Sequence, residues 1–160
     1  MRNLLMLSLA LLASGTQVSA LSCMRPDVVR TYTQAAEAEE HYVVVHGTLR
    51  FDEQRLPEAV MNESPPSTKI PARITGMALS GSRFDTPFDH EITLEVLCFG
   101  PWCAGASSGV SYLGFLEVKG GAYTLTVDPC GGNGFAEPTE EALRQVELCH
   151  AGGPCRQQTE

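Results

Sequence analysis

Gly105-Ala-Ser107-Ser-Gly109 is the stretch of this 160-residue chain that carries the spacing of an activated nucleophile. A G-x-S-x-G pattern serves a hydrolase when a strand precedes the serine, a helix follows it, and acid and histidine partners come later. Here it falls in a Gly/Ser-rich segment ahead of a strand pattern, and His150 is the only histidine after it. A plain loop fits those surroundings better, so a serine hydrolase built on Ser107 stands only as an alternative. Cys98, Cys103, Cys149, His150 and Cys155 are zinc-type ligands, but their spacings are not those of paired C-x-x-C sites. His41, His46 and His90 flank strand patterns singly, which is the setting of structural or solvated histidines. Gly131-Gly-Asn-Gly134 lacks the lysine and following helix of a phosphate loop and reads as a turn after Cys130. Acid pairs such as Asp85 with Asp89, or Glu140 with Glu141, carry no specificity in so acidic a chain. Asn62-Glu-Ser64 matches the glycosylation sequon, a motif short enough to recur by chance. No catalytic residue, metal site or cofactor is expected.

Trp102 is a different kind of candidate. The only tryptophan lies in Phe99-Gly-Pro-Trp-Cys103, between two cysteines close enough to close a small loop. A large aromatic on a pinned loop can anchor a partner. The competing expectation is that the ring folds back over the end of the domain.

The elements that must position these residues follow from periodicity and punctuation. Pro26 to about Glu40 has Val28, Val29, Tyr32, Ala35 and Ala36 at helical spacing, with Pro26 and Asp27 suited to a first turn. His41 to Phe51 is β-branched and interrupted by Gly47, which fits a long strand with a bend. Residues 52–67, with Pro57, Asn62, Pro65 and Pro66, form a loop. Thr68 to Ser80 is a weaker strand, in which Pro71 points to an edge position. Glu91 to Cys98 alternates, Tyr112 to Val118 is apolar on both faces and hence central, and Gly120-Gly121 turns the chain into Tyr123 to Val127. Pro138 then opens a helix with acids in its first turn and a stripe of Leu143, Val146 and Cys149. About five strands with one helix before and one after are too few for an immunoglobulin-like sandwich, and a small closed barrel is the natural solution.

Arg2, the apolar run Leu4 to Leu12 and the small residues Val18-Ser-Ala20 form a secretory signal, cut near Ala20. The run is shorter than the roughly 20 apolar residues of a membrane span, and no later segment is as apolar. Residues 21–160 are therefore expected to form a single domain, periplasmic or extracellular, without stable membrane insertion. Losing residues 1–20 removes Arg2 and no acid, which moves the net charge from −8 to −9. That charge repels phosphate backbones and argues against nucleic acid. All six cysteines, Cys23, Cys98, Cys103, Cys130, Cys149 and Cys155, lie beyond the signal, and an even number in an exported chain reads as a disulfide framework. Spacing does not fix the pairing. Cys98 with Cys103 and Cys149 with Cys155 could close local loops, which would leave Cys23 and Cys130 to clip the start of the domain to its last strand. Ala20-Leu-Ser-Cys23 also loosely resembles a lipobox, but lipidation of Cys23 would leave an odd number of cysteines.

Several features together resemble the netrin-like domain family, the OB-fold family that includes tissue inhibitors of metalloproteinases. Cys23-Met-Arg-Pro26 opens the domain, and a helix and the strand Val43-Val-Val-His-Gly47 follow. Cys103-Ala-Gly105 and Gly109-Val-Ser-Tyr-Leu113 come next, and Tyr123 to Cys130 closes the series. The resemblance covers most of residues 22–149. It implies a five-stranded OB-like barrel with helices packed outside, and a Cys23 bridge to Cys103 or Cys130. It also implies metalloprotease inhibition through the amine and carbonyl of an N-terminal cysteine. Here Leu21 and Ser22 stand ahead of Cys23, and the Cys-x-Cys start is missing. The function expected is therefore a non-enzymatic binding module with a protein or small-molecule partner, and protease inhibition is the alternative.

Overall fold

A computed structural model describes residues 21–60 and 63–156. Residues 1–20, where a secretory signal is expected, and Asn62 of the sequon lie outside the described residues.

Seven strands and two helices follow one another in the order α1 (Val28–Glu37), β1 (His41–Phe51), β2 (Ser67–Ser80), β3 (Arg83–Phe99), β4 (Trp102–Cys103), β5 (Ser111–Lys119), β6 (Ala122–Val127), β7 (Gly134–Ala136) and α2 (Glu140–His150). Five of the strands close on themselves. β1 pairs with β2 and β2 with β3, both antiparallel; β3 runs parallel to β6; β6 pairs with β5, and β5 returns to β1. The result is a disulfide-stapled, mainly β, OB-like ring, which removes open sheet edges by closure. β4 is a two-residue return on β3, and β7 lies beside the start of β5.

The interior is filled by alternate residues of each strand. Val45, Leu49, Ile70, Ile74, Leu94, Val96, Leu116 and Leu125 are all fully buried in one cluster. β5 buries its other face too: Leu113 and Phe115 point away from that cluster and pack with Val44 and Val146 beneath the two helices. That is why this strand is apolar on both sides. α1 is capped by Asp27, whose carboxylate accepts from the Arg30 amide at 2.8 Å, and α2 by Thr139, whose hydroxyl accepts from the Ala142 amide at 3.1 Å.

Gly47 and Gly76 face each other where β1 crosses β2. A Cβ on Gly76 would lie 2.2 Å from the His46 carbonyl oxygen and 2.4 Å from the Gly47 Cα. The ring can close its corner only because neither residue has a side chain. At the other end Gly120 and Gly121, with φ of +59° and +82°, form the tight turn from β5 to β6.

Several expectations need correction. α1 ends at Glu37, short of Glu40, because Ala38 is already extended; Glu39 and Glu40, which would oppose a helix dipole, therefore lie outside it, and Glu37 is its last residue. β2 is not a weak edge strand, since it has neighbours on both sides over residues 72–78. Pro71 lies one residue beyond the β1 ladder, so the free side that proline needs is local. β3 begins at Arg83, eight residues before the alternation becomes legible at Glu91. Its first half is polar and carries Pro87, tolerated because β6 joins β3 only from Thr93.

Three disulfides link Cys23 to Cys130, Cys98 to Cys103 and Cys149 to Cys155. No helix among the described residues is long and apolar enough to cross a membrane.

Candidate functional site

The Trp102 hairpin is held from three sides. Phe99 ends β3, Gly100 turns the chain with φ of +61°, and Trp102 comes back directly opposite Phe99. One residue inward, Cys98 faces Cys103, and their disulfide brings the two Cα atoms to 3.9 Å. The Ala104 amide then donates to the Leu97 carbonyl at 2.9 Å, and Ala104 is buried in the barrel cluster. The aromatic pair itself is outside: Trp102 is 38% and Phe99 41% exposed, and neither belongs to a core cluster. Trp102 does not fold back over the barrel end. The β1–β2 loop runs alongside, with the Cys98 amide donating to the Pro66 carbonyl at 3.1 Å and Cys103 Sγ 3.8 Å from the Glu58 carbonyl. That loop is folded on the Ser64 hydroxyl, which meets the Val60 amide at 2.8 Å, and Val60 is 39% exposed. Three of the six exposed large hydrophobics among the described residues thus sit on two abutting segments, an arrangement suited to contact.

Ser107 lies in the loop between β4 and β5, and a strand follows it where a hydrolase elbow needs a helix. Its amide donates to the Tyr112 hydroxyl at 3.0 Å, and no histidine bonds its hydroxyl among the described residues. Ser108, next to it, accepts from the Phe51 amide at 3.0 Å, so the motif ties its loop to the end of β1. The serine that does meet a histidine is Ser111, whose Oγ is 2.9 Å from His46 Nε2. Burial holds His46 below the usual imidazole range, and the Phe84 ring packs edge-on against it. No acid orients the other ring nitrogen among the described residues, so the pair lacks the third member of a nucleophilic triad. His150 is held by the Tyr32 hydroxyl at 3.0 Å.

The cysteines named as possible ligands are consumed in disulfides, and no cluster of three metal-ligating side chains occurs among the described residues. Cys23, bonded to Cys130, is preceded by Leu21 and Ser22, and Pro26 lies against Gly131.

A second surface was not legible as a motif. Arg50, Arg55, Lys69 and Arg73 line a groove on the outside of the ring with Pro71 and Tyr123. They are scattered over 24 positions of sequence. The signal that could have found them is the period of two in Lys69, Pro71 and Arg73, which puts all three on one face of β2.

No model of a known protein family matches the chain, and neither a curated protein nor a solved structure does.

Proposed function

We propose that this protein is an exported, non-enzymatic binding module of the netrin-like kind, which engages a protein partner through the hairpin carrying Phe99 and Trp102. The observation that carries the reading is the exposure of two adjacent aromatics on a hairpin closed by its own disulfide. Aromatic anchors of low residual entropy dominate binding energy in protein interfaces. Three disulfides in the 140 residues after Ala20 support maturation in a periplasm or outside the cell, because reducing compartments do not retain them. The five-strand ring and the Cys23–Cys130 bridge support the family reading.

The test is Trp102→Ala in the exported protein, with partner capture and thermal unfolding measured side by side. Capture falls about tenfold or more while the midpoint holds, as expected for a hot-spot aromatic outside the core. Equal loss of stability and capture would make Trp102 a structural residue. Inhibition of a metalloprotease by a form that begins at Cys23, and not by one that begins at Leu21, would move the site to the N-terminus.

A further inference from the structure

Positive charge is scarce on this domain, with ten basic residues beyond position 20 against nineteen acids, yet four of the ten line one groove of about 650 Å³. Lys69 and Arg73 flank Pro71 on one face of β2, and Arg50 stands across the β1–β2 ladder from Arg73. With Arg55 they are four bases against one lining acid, Glu91, so the groove is positive. Arg73 is held by Asp89 at 2.8 Å and Lys69 lies 3.9 Å from Glu95. Arg50 and Arg55 make no ion pair or side-chain hydrogen bond among the described residues. Between these cations the lining is apolar: Pro71 and Ala122 are exposed, and Tyr123 is half-buried with its ring edge-on to Phe88. An apolar trough with cations along its sides fits an apolar ridge flanked by anions.

That ridge is on the same chain. Phe99 and Trp102 project from the hairpin, and Val60 stands on the β1–β2 loop that runs beside it. Glu58 and Glu63 bracket Val60, both exposed, and neither carboxylate makes an ion pair or side-chain hydrogen bond among the described residues. The other acids of the loop are engaged: Asp52 caps the short turn Glu53–Arg55, and Glu53 accepts from the Ser108 amide. Hairpin against hairpin would set Glu58 and Glu63 against their own copies, which repel. Hairpin in groove sets them instead against Arg50 and Arg55, and brings the Phe99 and Trp102 rings to Pro71 and Tyr123. Arg55 in the groove and Glu58 on the ridge belong to one loop, so the two patches border each other. A two-fold axis beside that loop closes both contacts at once.

We infer that the hairpin's partner is a second copy of this chain, in a symmetric dimer where the Phe99–Trp102 hairpin of each copy seats in the basic groove of the other. The inference rests on the reading of the hairpin as a contact site and names what it contacts. The aromatic rings supply most of the affinity, and the charges on either side fix the register.

Sedimentation equilibrium of the disulfide-intact protein over a wide range of concentration tests the inference. The parent passes from monomer to dimer as concentration rises, and Trp102→Ala weakens the dimer about tenfold or more. Arg50→Glu/Arg55→Glu makes ridge and groove both negative, Glu58→Arg/Glu63→Arg makes both positive, and each variant alone loses the dimer by a similar factor. All three keep the thermal midpoint, since a carboxylate facing Arg73 does not oppose strand pairing and the other side chains are exposed. The two charge variants mixed recover a one-to-one dimer, because both contacts then join opposite charges. Leu148→Ala on α2 leaves the parent's dimer unchanged. A parent that stays monomeric, assemblies that grow beyond two, a mixture of charge variants that stays monomeric, or a dimer that Trp102→Ala leaves intact would each overturn the inference. A monomeric parent that captures a different exported protein through Trp102 would overturn it too, while leaving the hairpin reading in place.

Discussion

Removing the Cys23–Cys130 bridge should cost far more stability than removing either short one. The bridge joins residues 107 apart, whereas Cys98–Cys103 spans 5 and Cys149–Cys155 spans 6. A cross-link stabilises chiefly by restricting the unfolded chain, with a loss of entropy that grows as the logarithm of the loop it closes. On that relation the long clip contributes about 5 kcal/mol and each short loop about 2 kcal/mol. The two small loops lie inside or beyond the large one and shorten it little, so the estimates are nearly independent. The assay is urea unfolding of Cys23→Ser/Cys130→Ser and Cys98→Ser/Cys103→Ser against the parent, all without reductant. The first variant should lose about 3 kcal/mol more than the second, and its m-value should rise as the freed unfolded chain exposes more surface. Equal losses, or a greater loss from the Cys98–Cys103 pair, would refute the entropic argument and locate the stabilisation in native contacts of the hairpin.

Gly76→Ala places a methyl 2.2 Å from the His46 carbonyl oxygen, against backbone that cannot give way, and should cost about 3 kcal/mol or prevent folding. A midpoint within one degree of the parent would show that the β1–β2 crossing is looser than described. Burial lowers the pKa of His46 in the fold, so the unfolded chain binds the extra proton more readily as pH falls. Its contribution is therefore fully present above about pH 6.5 and is lost as pH drops through the lowered folded value. His46→Gln should flatten the slope of stability between about pH 7 and 5, and an unchanged slope would clear His46 of that role.

Much of the ring could be read from residues. The two-faced apolar pattern of Tyr112 to Val118 marked β5 as central because a strand with one wet face would alternate. Gly120-Gly121 and the two helix openings were legible because their chemistry is local: positive φ in one, proline and acidic residues at the start in the others, where the structure shows Asp27 and Thr139 as the caps. The first half of β3 was hidden for the opposite reason. Residues 83–90 pair with β2, yet they are largely exposed and carry Asp85, Pro87 and Asp89, so partner geometry rather than pattern makes them a strand. β7 is three residues long and exists through its pairing with Tyr112 to Gly114. The cysteine count showed a framework, but only the fold brings Cys23 to Cys130. Trp102 stood out as a lone aromatic between cysteines, whereas its exposure beside Phe99 depends on the β3–β4 register. The basic groove is a property of closure, since Arg50 and Arg73 meet only once β1 and β2 are paired.

The claim at the centre of this account is that the pinned hairpin is where a partner sits. A photo-crosslinking phenylalanine analogue at position 102, compared with the same residue at Leu148 on α2, tests it directly. Leu148 is 44% exposed and Trp102 38%, so the two positions offer the probe similar access. The account predicts one discrete adduct in the native exported fraction from position 102, suppressed by excess unlabelled protein, and none from position 148. Adducts from 148 alone, or the same diffuse adducts from both, would contradict it.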